Sequence, residues 1–193
     1  MPRVKLFDEN EVLTKAMNLF WKQGYAATSV QDLVSHLGIN RASLYDTFGD
    51  KEQLFRKSFE LYRKINIEGL KQFLGGQKDI REGFIKLFDN AIQEAITDTD
   101  RKGCFVVNTT TELVPNDESI AEVLQSNKHE FENTFLEYLK KGEDAGQIKT
   151  DQDLESIAAL FYTLYNGLRV VSKVQPDKKK LTDTVKVALS VLD

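Results

Sequence analysis

The sequence contains very little cysteine, histidine or proline. A single cysteine among 193 residues excludes an internal disulfide framework. The two histidines lie far apart in the chain, and neither belongs to an HExxH, CxxC or other metal-binding spacing. A glycine-rich phosphate loop and a GxSxG motif are also missing. We therefore predict that the protein is not an enzyme and that it has no catalytic residue, metal site or cofactor.

Long apolar segments are missing as well. No run approaches the roughly 18 residues that a membrane-spanning helix needs, and residues 1–10 lack the apolar core of a signal peptide. With 41% hydrophobic and 29% charged residues, the composition is that of an ordinary folded chain. We expect a cytoplasmic protein that does not contact a membrane.

The charge is low and unevenly distributed, with a formal net value of -4. Residues 1–57 hold eight Lys and Arg against seven Asp and Glu, whereas residues 58–193 hold 18 against 23. A nearly neutral N-terminal part permits DNA binding through a small basic face, but it predicts weak non-specific affinity because few phosphates would be neutralised. DNA binding by such a weakly charged domain would depend on a dimer that presents two copies of the domain.

Apolar residues recur at helical spacing through most of the chain, and glycine and proline mark the breaks between about nine segments. Residues 104–113, CFVVNTTTEL, are ambiguous because their β-branched side chains favour a strand. A single strand would have no partner, so we predict a helix there too. The expected fold class is all-α, with about nine helices. The fourth helix, from Lys51 to about Leu74, would be roughly 35 Å long.

Residues 28–51 form the most informative stretch. Thr28 and Gln31 have the spacing of a capping box, and the apolar positions that follow predict a helix that ends at Leu37. Gly38 suits the left-handed backbone that terminates a helix. The first short helix of this stretch is therefore expected to stop at a tight turn.

A second short helix follows that turn. Asn40 is its predicted cap, and it runs from Arg41 to Thr47, with Leu44 and Phe48 on the inward side and polar side chains on the other. Two short helices joined by a tight turn describe a helix-turn-helix, whose second helix can enter the major groove of DNA. Spacing alone leaves a second interpretation open, which is an ordinary amphipathic helical hairpin.

The run GINRASLYDTFGDKEQLF, preceded by TSVQDLVSHL and by a helix ending FWKQGYAA, resembles the DNA-binding domain of the TetR family of bacterial transcriptional regulators. This resemblance covers about residues 8–55. A further stretch, GCFVVN at 103–108, resembles a recurrent element in the ligand-binding half of one branch of that family. The resemblance implies a helix-turn-helix domain at residues 1–50 and a helical regulatory and dimerisation domain at residues 51–193.

The outer face of the second short helix carries the expected DNA contacts. As a hypothesis, Arg41 and Ser43 read base edges, Arg41 through a guanine, and Ala42 contacts a thymine methyl group. Thr28, Tyr45 and Lys51 resemble phosphate-contacting positions of the family. The complete predicted set is Thr28, Arg41, Ala42, Ser43, Tyr45, Thr47 and Lys51.

An effector site is expected in the second half of the chain. The resemblance implies an inducer site, and aromatic walls with a few polar groups suit a small apolar ligand, while the thiol of Cys104 would suit an electrophilic one. Cys104 follows two cations at a predicted helix start, where a thiolate is favoured. A filled hydrophobic core and a buried, unreactive Cys104 remain alternatives, because composition does not separate them. The candidate ligand-binding residues are Phe59, Tyr62, Phe88, Cys104, Phe105, Asn108, Phe161 and Tyr165.

Residues 151–173 hold a continuous apolar seam with a second apolar face beside it. Together with the C-terminal helix, two such helices from each of two chains would form a four-helix dimer interface, which the family resemblance also implies. The alternative is that the seam only closes the core of one chain. The predicted interface residues are Leu154, Ala158, Phe161, Leu168, Val185 and Leu192.

These expectations together describe a ligand-responsive transcriptional regulator, which is a repressor if it follows the usual behaviour of the family. It would bind a palindromic double-stranded DNA operator as a homodimer and be released by a small-molecule inducer. The alternative function is a helical adaptor that binds a partner protein without DNA, since the seam at residues 151–173 would also serve that role.

Overall fold

The computed structural model describes residues 7–174 and 176–193, and these residues form nine α-helices and one short 3-10 helix without any strand. The helices are α1 (Glu9–Gln23), α2 (Val30–Leu37), α3 (Arg41–Phe48), α4 (Lys51–Gly75), α5 (Ile80–Thr97), α6 (Phe105–Leu113), α7 (Glu118–Asp144), α8 (Leu154–Val174) and α9 (Lys178–Leu189), followed by the 3-10 helix Ser190–Leu192. The predicted all-α class is confirmed, and so is the helix predicted for CFVVNTTTEL, which is α6.

Short polar side chains start several of the helices. The Asp8 carboxylate accepts hydrogen bonds from the backbone N–H groups of Asn10 and Glu11 at 2.7 and 3.0 Å. Asn40 and Asp50 accept in the same way at the starts of α3 and α4. Each bond satisfies a donor that the first turn of a helix leaves free. The predicted cap of α3 by Asn40 is confirmed.

Helix α2 is capped one residue later than predicted. Ser29 accepts from the N–H of Asp32 at 3.1 Å, and the Asp32 carboxylate accepts from the N–H of Ser29 at 2.9 Å, which completes a reciprocal box. Thr28 is fully buried, and its hydroxyl donates to the Gly24 carbonyl at 2.6 Å. The predicted cap from Thr28 and Gln31 is wrong because TSVQD contains two overlapping candidates, and only the tertiary position of Thr28 selects between them.

Two hydrophobic cores share helix α4. The N-terminal core joins α1, α2, α3 and the first half of α4 to α6 and the start of α7, and it includes Phe20 and Phe105. The C-terminal core joins the rest of α4 to α5, α7, α8 and α9 around Phe84 and Phe161. The 25 residues of α4 span about 37 Å at 1.5 Å per residue. A domain boundary after residue 50 stays a prediction, because α4 contributes to both cores.

The residues predicted to form the dimer interface are buried within a single chain. All six predicted interface residues are at most 9% exposed and belong to the C-terminal core, where α8 packs on α5, α7 and α9. These six are Leu154, Ala158, Phe161, Leu168, Val185 and Leu192. They are core residues of one chain, as the alternative interpretation has it. Periodicity did not separate the two interpretations because α8 is apolar on two faces, and only its packing partners decide which face is buried.

A different apolar face of α8 remains exposed. Leu160, Val171 and Val174 are 42%, 56% and 83% exposed. Val187, on the following helix α9, is 74% exposed. We call this surface the α8–α9 stripe. Its members recur at intervals of three and four residues along α8, so they share one side of the helix. The stripe comprises Leu160, Leu164, Gly167, Val171, Val174 and Val187.

The cap of α2 gives a direct test of this local structure. We expect Ser29→Ala to lower the free energy of unfolding by about 1 kcal/mol, because the N–H of Asp32 loses its acceptor. Gln31→Ala should leave stability nearly unchanged. Urea unfolding followed by circular dichroism measures both variants, and an equal or larger cost for Gln31→Ala would contradict the assignment.

Candidate nucleic-acid interface and effector grooves

Helix α3 is held at a fixed orientation by its buried side. Leu44 is fully buried and Phe48 is 4% exposed, and both pack with Leu33 and Leu37 of α2 in the N-terminal core. Between the helices, Gly38 has a φ of 68° and a ψ of 23°, a left-handed conformation that a side chain would strain. Helices α2 and α3 therefore form a helix-turn-helix whose second helix has one free face.

The exposed side of α3 is rich in hydrogen-bonding groups and carries one cation, Arg41, and one carboxylate, Asp46. Arg41, Ala42 and Tyr45 are exposed, while Ser43 and Thr47 are half-buried at its edges. The guanidinium carbon of Arg41 lies 5.6 Å from the centroid of the Tyr45 ring, and its Nη2 donates to the Tyr45 hydroxyl at 3.4 Å. Groups of this kind contact base edges and phosphates in protein–DNA complexes.

Lys51 lies at the start of α4, directly after the turn that ends α3. Its ammonium group is 4.4 Å from the centroid of the Tyr25 ring, and that ring packs on Phe55 with centroids 4.9 Å apart. This cation–π contact holds the charge next to the helix-turn-helix rather than leaving it on a free chain. The structure therefore places Lys51 beside the exposed face of α3.

Thr28 is not available for the phosphate contact that the sequence predicts. Its side chain is fully buried, and its hydroxyl already donates to the Gly24 carbonyl at 2.6 Å. The neighbouring Ser29 is exposed at the first turn of α2, and the sequence interpretation missed it. The Ser29 to Asp32 spacing is the signal that would have identified it.

Comparison with known proteins places this geometry in a family. Residues 12–57 match the model for bacterial regulatory proteins of the tetR family, and residues 84–188 match the tetracyclin repressor-like C-terminal domain. The chain belongs to the TetR family. It is therefore a DNA-binding transcriptional regulator of the helix-turn-helix class, and the family is one of regulators rather than enzymes.

Whole-length relatives agree with this assignment. The uncharacterized HTH-type transcriptional regulator YezE of Bacillus subtilis is 34% identical over 195 residues, which is 100% of each chain. The HTH-type transcriptional repressor ComR of Escherichia coli is 32% identical and aligns with 93% of this chain and 86% of its own. A cysteine variant of the TetR family regulator CifR, solved with a 26-base-pair operator DNA, has a TM-score of 0.86 at 29% identity, covering 99% of this chain and 100% of CifR.

In the part of this TetR-family chain that the structure describes, neither a helix that could cross a membrane nor a cluster of metal-ligating side chains is present. Within residues 7–174 and 176–193, no helix has both the length and the apolar character that crossing a bilayer requires. In the same part of the chain, no group of three or more His, Cys, Asp and Glu side chains is arranged to hold a metal ion.

Helix α6 connects the helix-turn-helix to the rest of the regulator through Glu112. The Glu112 carboxylate accepts from the backbone N–H groups of Tyr25 and Ala26 at 3.1 and 2.7 Å, so it closes the corner between α1 and α2. Gly24 has a φ of 85°, and a Cβ there would lie 2.9 Å from the carboxylate. Because residue 24 is glycine, the Glu112 carboxylate has room to bond both N–H groups in its observed position.

The loop between α5 and α6 makes a second connection, to α1. The indole Nε1 of Trp21 donates to the Gly103 carbonyl at 3.0 Å, and its ring lies under the Lys102 ammonium group at 4.6 Å. Lys22 forms an ion pair with Asp100 at 3.0 Å, in which both side chains are about half exposed. Exposed pairs of this kind contribute little to stability, so the Trp21 contacts are the firmer part of this connection.

Four of the predicted ligand-binding residues are core residues. Phe59, Phe88, Phe105 and Phe161 are at most 1% exposed, and their rings pack against other rings of the two cores. Dense packing of this kind leaves no space for a ligand beside these four rings. They are part of a filled hydrophobic core, which was the alternative interpretation of the sequence. Composition could not show this, because a filled core and an aromatic pocket use the same residues.

Two other predicted ligand-binding residues also have structural partners. Cys104 occupies the N-cap position of α6 without a side-chain capping bond, is 8% exposed and receives a hydrogen bond from the Tyr62 hydroxyl at 3.8 Å. Asn108 donates to the Lys102 carbonyl at 2.8 Å and accepts from the Lys173 ammonium at 2.7 Å, so it joins α6 to α8. The helix start predicted at Cys104 is confirmed, but its thiol faces the protein interior.

Two open grooves lie beside these residues. The apolar groove, of about 410 Å³, runs between α4, α5 and α8, with Tyr62 and Tyr165 at one end. The loop groove, of about 380 Å³, lies over residues 97–103 and beside Lys173. Trp21, Glu94 and Arg169 line both grooves, which therefore meet at these three side chains. The apolar groove is defined by Ile65, Gly69, Leu70, Phe73, Leu87 and Ala91.

The two tyrosines of the apolar groove remain hydrogen-bonding phenols. Burial raises the pKa of Tyr62 well above its ordinary value, and the neighbouring Cys104 adds to the rise. Burial also raises the pKa of Tyr165, although the adjacent Arg169 acts in the opposite direction. Both hydroxyl groups therefore stay protonated near neutral pH, and because the Tyr62 hydroxyl already donates to Cys104, the Tyr165 hydroxyl is the one that can donate to a ligand.

Removing the charge of Glu112 tests the connection between α6 and the α1–α2 corner. We expect Glu112→Gln to speed hydrogen exchange at the amides of Tyr25 and Ala26 by about tenfold, because charge-assisted bonds become neutral or are lost. Exchange measured by mass spectrometry or NMR reports this directly. Glu122→Gln, an exposed change on α7, is the control, and equal exchange in both variants would contradict the role given to Glu112.

Proposed function

We propose that this protein is a cytoplasmic transcriptional repressor that binds a palindromic operator as a homodimer and is released from it by a small molecule. The observation that carries the proposal is the free face of α3, where Arg41 and Tyr45 stand exposed on a helix fixed from behind by Leu44 and Phe48. The naming of ComR as a repressor and the operator complex of CifR support the same role.

In this proposal, α3 lies in the major groove of the operator. Arg41 reads a guanine through its paired donors, with Ser43 and Ala42 beside it. Tyr45 and Lys51 contact phosphates on the flanking backbone, and so place the helix without reading sequence. Thr47 lies at the edge of the face, near the backbone. Family membership as a DNA-binding regulator argues against the adaptor function that the sequence alone left open.

The second α3 helix comes from another copy of the chain, which binds through the α8–α9 stripe to form a homodimer. Five of the nine large hydrophobic side chains that are exposed within the described residues lie on α8 and α9. Contiguous apolar surface of this kind marks an association site in a soluble protein. An isologous contact of α8 and α9 with their copies would form a four-helix bundle and relate two α3 helices by a two-fold axis. Such an arrangement reads half-sites about 34–36 Å apart, which gives a palindromic operator.

Release depends on a difference between two arrangements of the same chain. A ligand that binds one arrangement better than the other shifts the population toward it. The two grooves are bordered by α4, by α8 and by the loop that contacts Trp21, so a ligand there acts on elements that also hold α1. The corner closed by Glu112 and the shared helix α4 would carry the shift to the spacing of the two α3 helices.

The DNA contacts are tested with two substitutions on α3. We expect Arg41→Ala to relax the preference at one base pair of each half-site, since a bidentate contact discriminates by about 1–3 kcal/mol. Tyr45→Phe should weaken binding about equally for all sequences. Selection of bound DNA from a random pool gives the sequence preference, and gel-shift titration gives the affinity. Unchanged preference and affinity in both variants would overturn the assignment.

The dimer surface is tested by placing a charge on the stripe. Leu160→Glu should shift the protein from dimer to monomer and weaken operator binding by about tenfold or more, because a desolvated carboxylate at the contact opposes association. Ile85→Glu is the matched control, since Ile85 is 44% exposed and Leu160 is 42% exposed but Ile85 lies on α5. Sedimentation velocity measures the mass, and a wild-type chain that sediments as a monomer would exclude this interface.

A further inference from the structure

Arg169 of α8 is a buried cation with incomplete hydrogen bonding. Its side chain is only 11% exposed. One terminal nitrogen, Nη2, donates to the Tyr165 hydroxyl at 2.6 Å and to Glu94 Oε2 at 3.2 Å. Its Nε is buried and has no hydrogen-bond partner within the described residues. A buried guanidinium with free donors is costly, and a carboxylate that bonds two of its nitrogens would satisfy it.

Glu94 does not supply that second bond. Its side chain is 64% exposed, and it reaches Arg169 with one oxygen only. Exposed carboxylates in single-contact pairs are readily replaced, because water and other anions compete with them. The guanidinium therefore faces the junction of the two grooves with a weakly held partner.

The apolar groove beside Arg169 has unusual features for a surface. Ile65, on the same helix as the buried Tyr62, is 51% exposed at its wall, although its position predicts an inward side chain. Gly69 lies one turn further along α4, and a Cβ placed there would meet no atom within 4 Å. Glycine within a helix is destabilising, and at this position it leaves the wall of the groove without a side chain.

We propose that the effector is an amphiphilic organic anion, whose carboxylate-like head bonds Arg169 and whose apolar body fills the apolar groove. This inference rests on the proposed function, because it names the chemical class of the molecule that releases the DNA. The head displaces Glu94, occupies the free Nε donor and leaves the Tyr165 hydroxyl as a further donor. The body covers Ile65 and the space above Gly69.

The charges around the junction favour an anion over a cation. Three carboxylates lie near it, but Asp98 already accepts from the Gly103 N–H at 3.0 Å, and Asp100 pairs with Lys22 at 3.0 Å. Glu94 is the remaining one, and it faces solvent. The only buried group with an unmet hydrogen-bonding requirement among the described residues that line the junction is the cationic Arg169.

Direct titration of the DNA-free protein tests the head group. Phenylbutyrate and octanoate serve as probes, and their primary amides keep the apolar body without the charge. We expect each carboxylate to bind at least about tenfold more tightly than its amide, as a charge-assisted bidentate contact would give. Isothermal titration calorimetry measures both. Equal affinities, or no binding of either carboxylate at millimolar concentration, would overturn the inference.

Variants assign the binding to the proposed residues. Arg169→Gln should remove the advantage of the carboxylate over the amide. Glu94→Gln should increase carboxylate affinity, because it removes a competing anion, and the substituted side chain is itself 64% exposed. Arg63→Gln is the matched control, since Arg63 is 12% exposed and also paired with a glutamate but lies outside both grooves. A loss of carboxylate affinity in Glu94→Gln would contradict the exchange of partners.

A second pair of variants tests the apolar body. Gly69→Leu should fold normally, because nothing occupies the space of its side chain, and it should weaken both the carboxylates and the amides by about tenfold through loss of the groove. Gly75→Leu, at the exposed end of the same helix, is the control, and a Cβ there also meets nothing within 4 Å. Unchanged binding in Gly69→Leu would place the body elsewhere.

The two levels of the proposal fail in different ways. If the carboxylates bind as expected but do not release the selected operator DNA in a gel-shift assay, the groove is a binding site and the proposed inducer function is wrong. If the protein binds and is released from operator DNA only by the neutral amides, the repressor function stands and the anionic class is wrong.

Discussion

The aromatic rings of α4 that contact Phe105 join α6 to α1 within the N-terminal core. Phe105 makes edge-on contacts with Phe55, Phe59 and Tyr62, with centroid distances of 5.8, 5.3 and 5.4 Å. Phe55 in turn contacts Phe20 of α1 edge-on at 5.3 Å. Such pairs have a preferred geometry and dense packing around them, so α1, α4 and α6 behave as one unit. The orientation of α3 depends on this unit, because α3 packs only on the N-terminal core.

The same unit explains how a distant helix can influence α3. Helix α8 is joined to α6 by the bond between Lys173 and Asn108 at 2.7 Å, and α6 is joined to the α1–α2 corner by Glu112. Each step is a direct contact between charged or polar groups, and none passes through a flexible chain. In the proposed release, these contacts are the route by which a displacement of α8 would reach the α1–α2 corner.

The parts of the fold that were predictable from sequence are those set by local chemistry. The caps at Asp8, Asn40 and Asp50 depend on side chains three residues or fewer from the groups they satisfy, and the one stated from the sequence, Asn40, is found as predicted. The exposed face of α3 follows from the spacing of Leu44 and Phe48. The family resemblance rested on the same local stretch.

The parts that were not predictable depend on which surfaces meet. Thr28 and Ser29 both offer a cap, and the burial of Thr28 decides between them. Phe161 and Leu160 are adjacent apolar residues of α8, but one is fully buried and the other is 42% exposed, since the packing of α5, α7 and α9 covers only one face. The grooves arise from the separation of α4, α5 and α8, which no local pattern encodes.

Trp21 occupies an informative position in this arrangement. It is the only tryptophan of the chain, it lines both grooves, and it contacts Tyr62, Gly103 and Lys102. Indole emission responds to hydrogen bonding and to nearby charge, and all three of its neighbours belong to the elements that join the two halves. The protein therefore carries its single tryptophan where the two grooves meet. Fluorescence of Trp21 in the unlabelled chain can be used to measure whether a ligand enters the grooves.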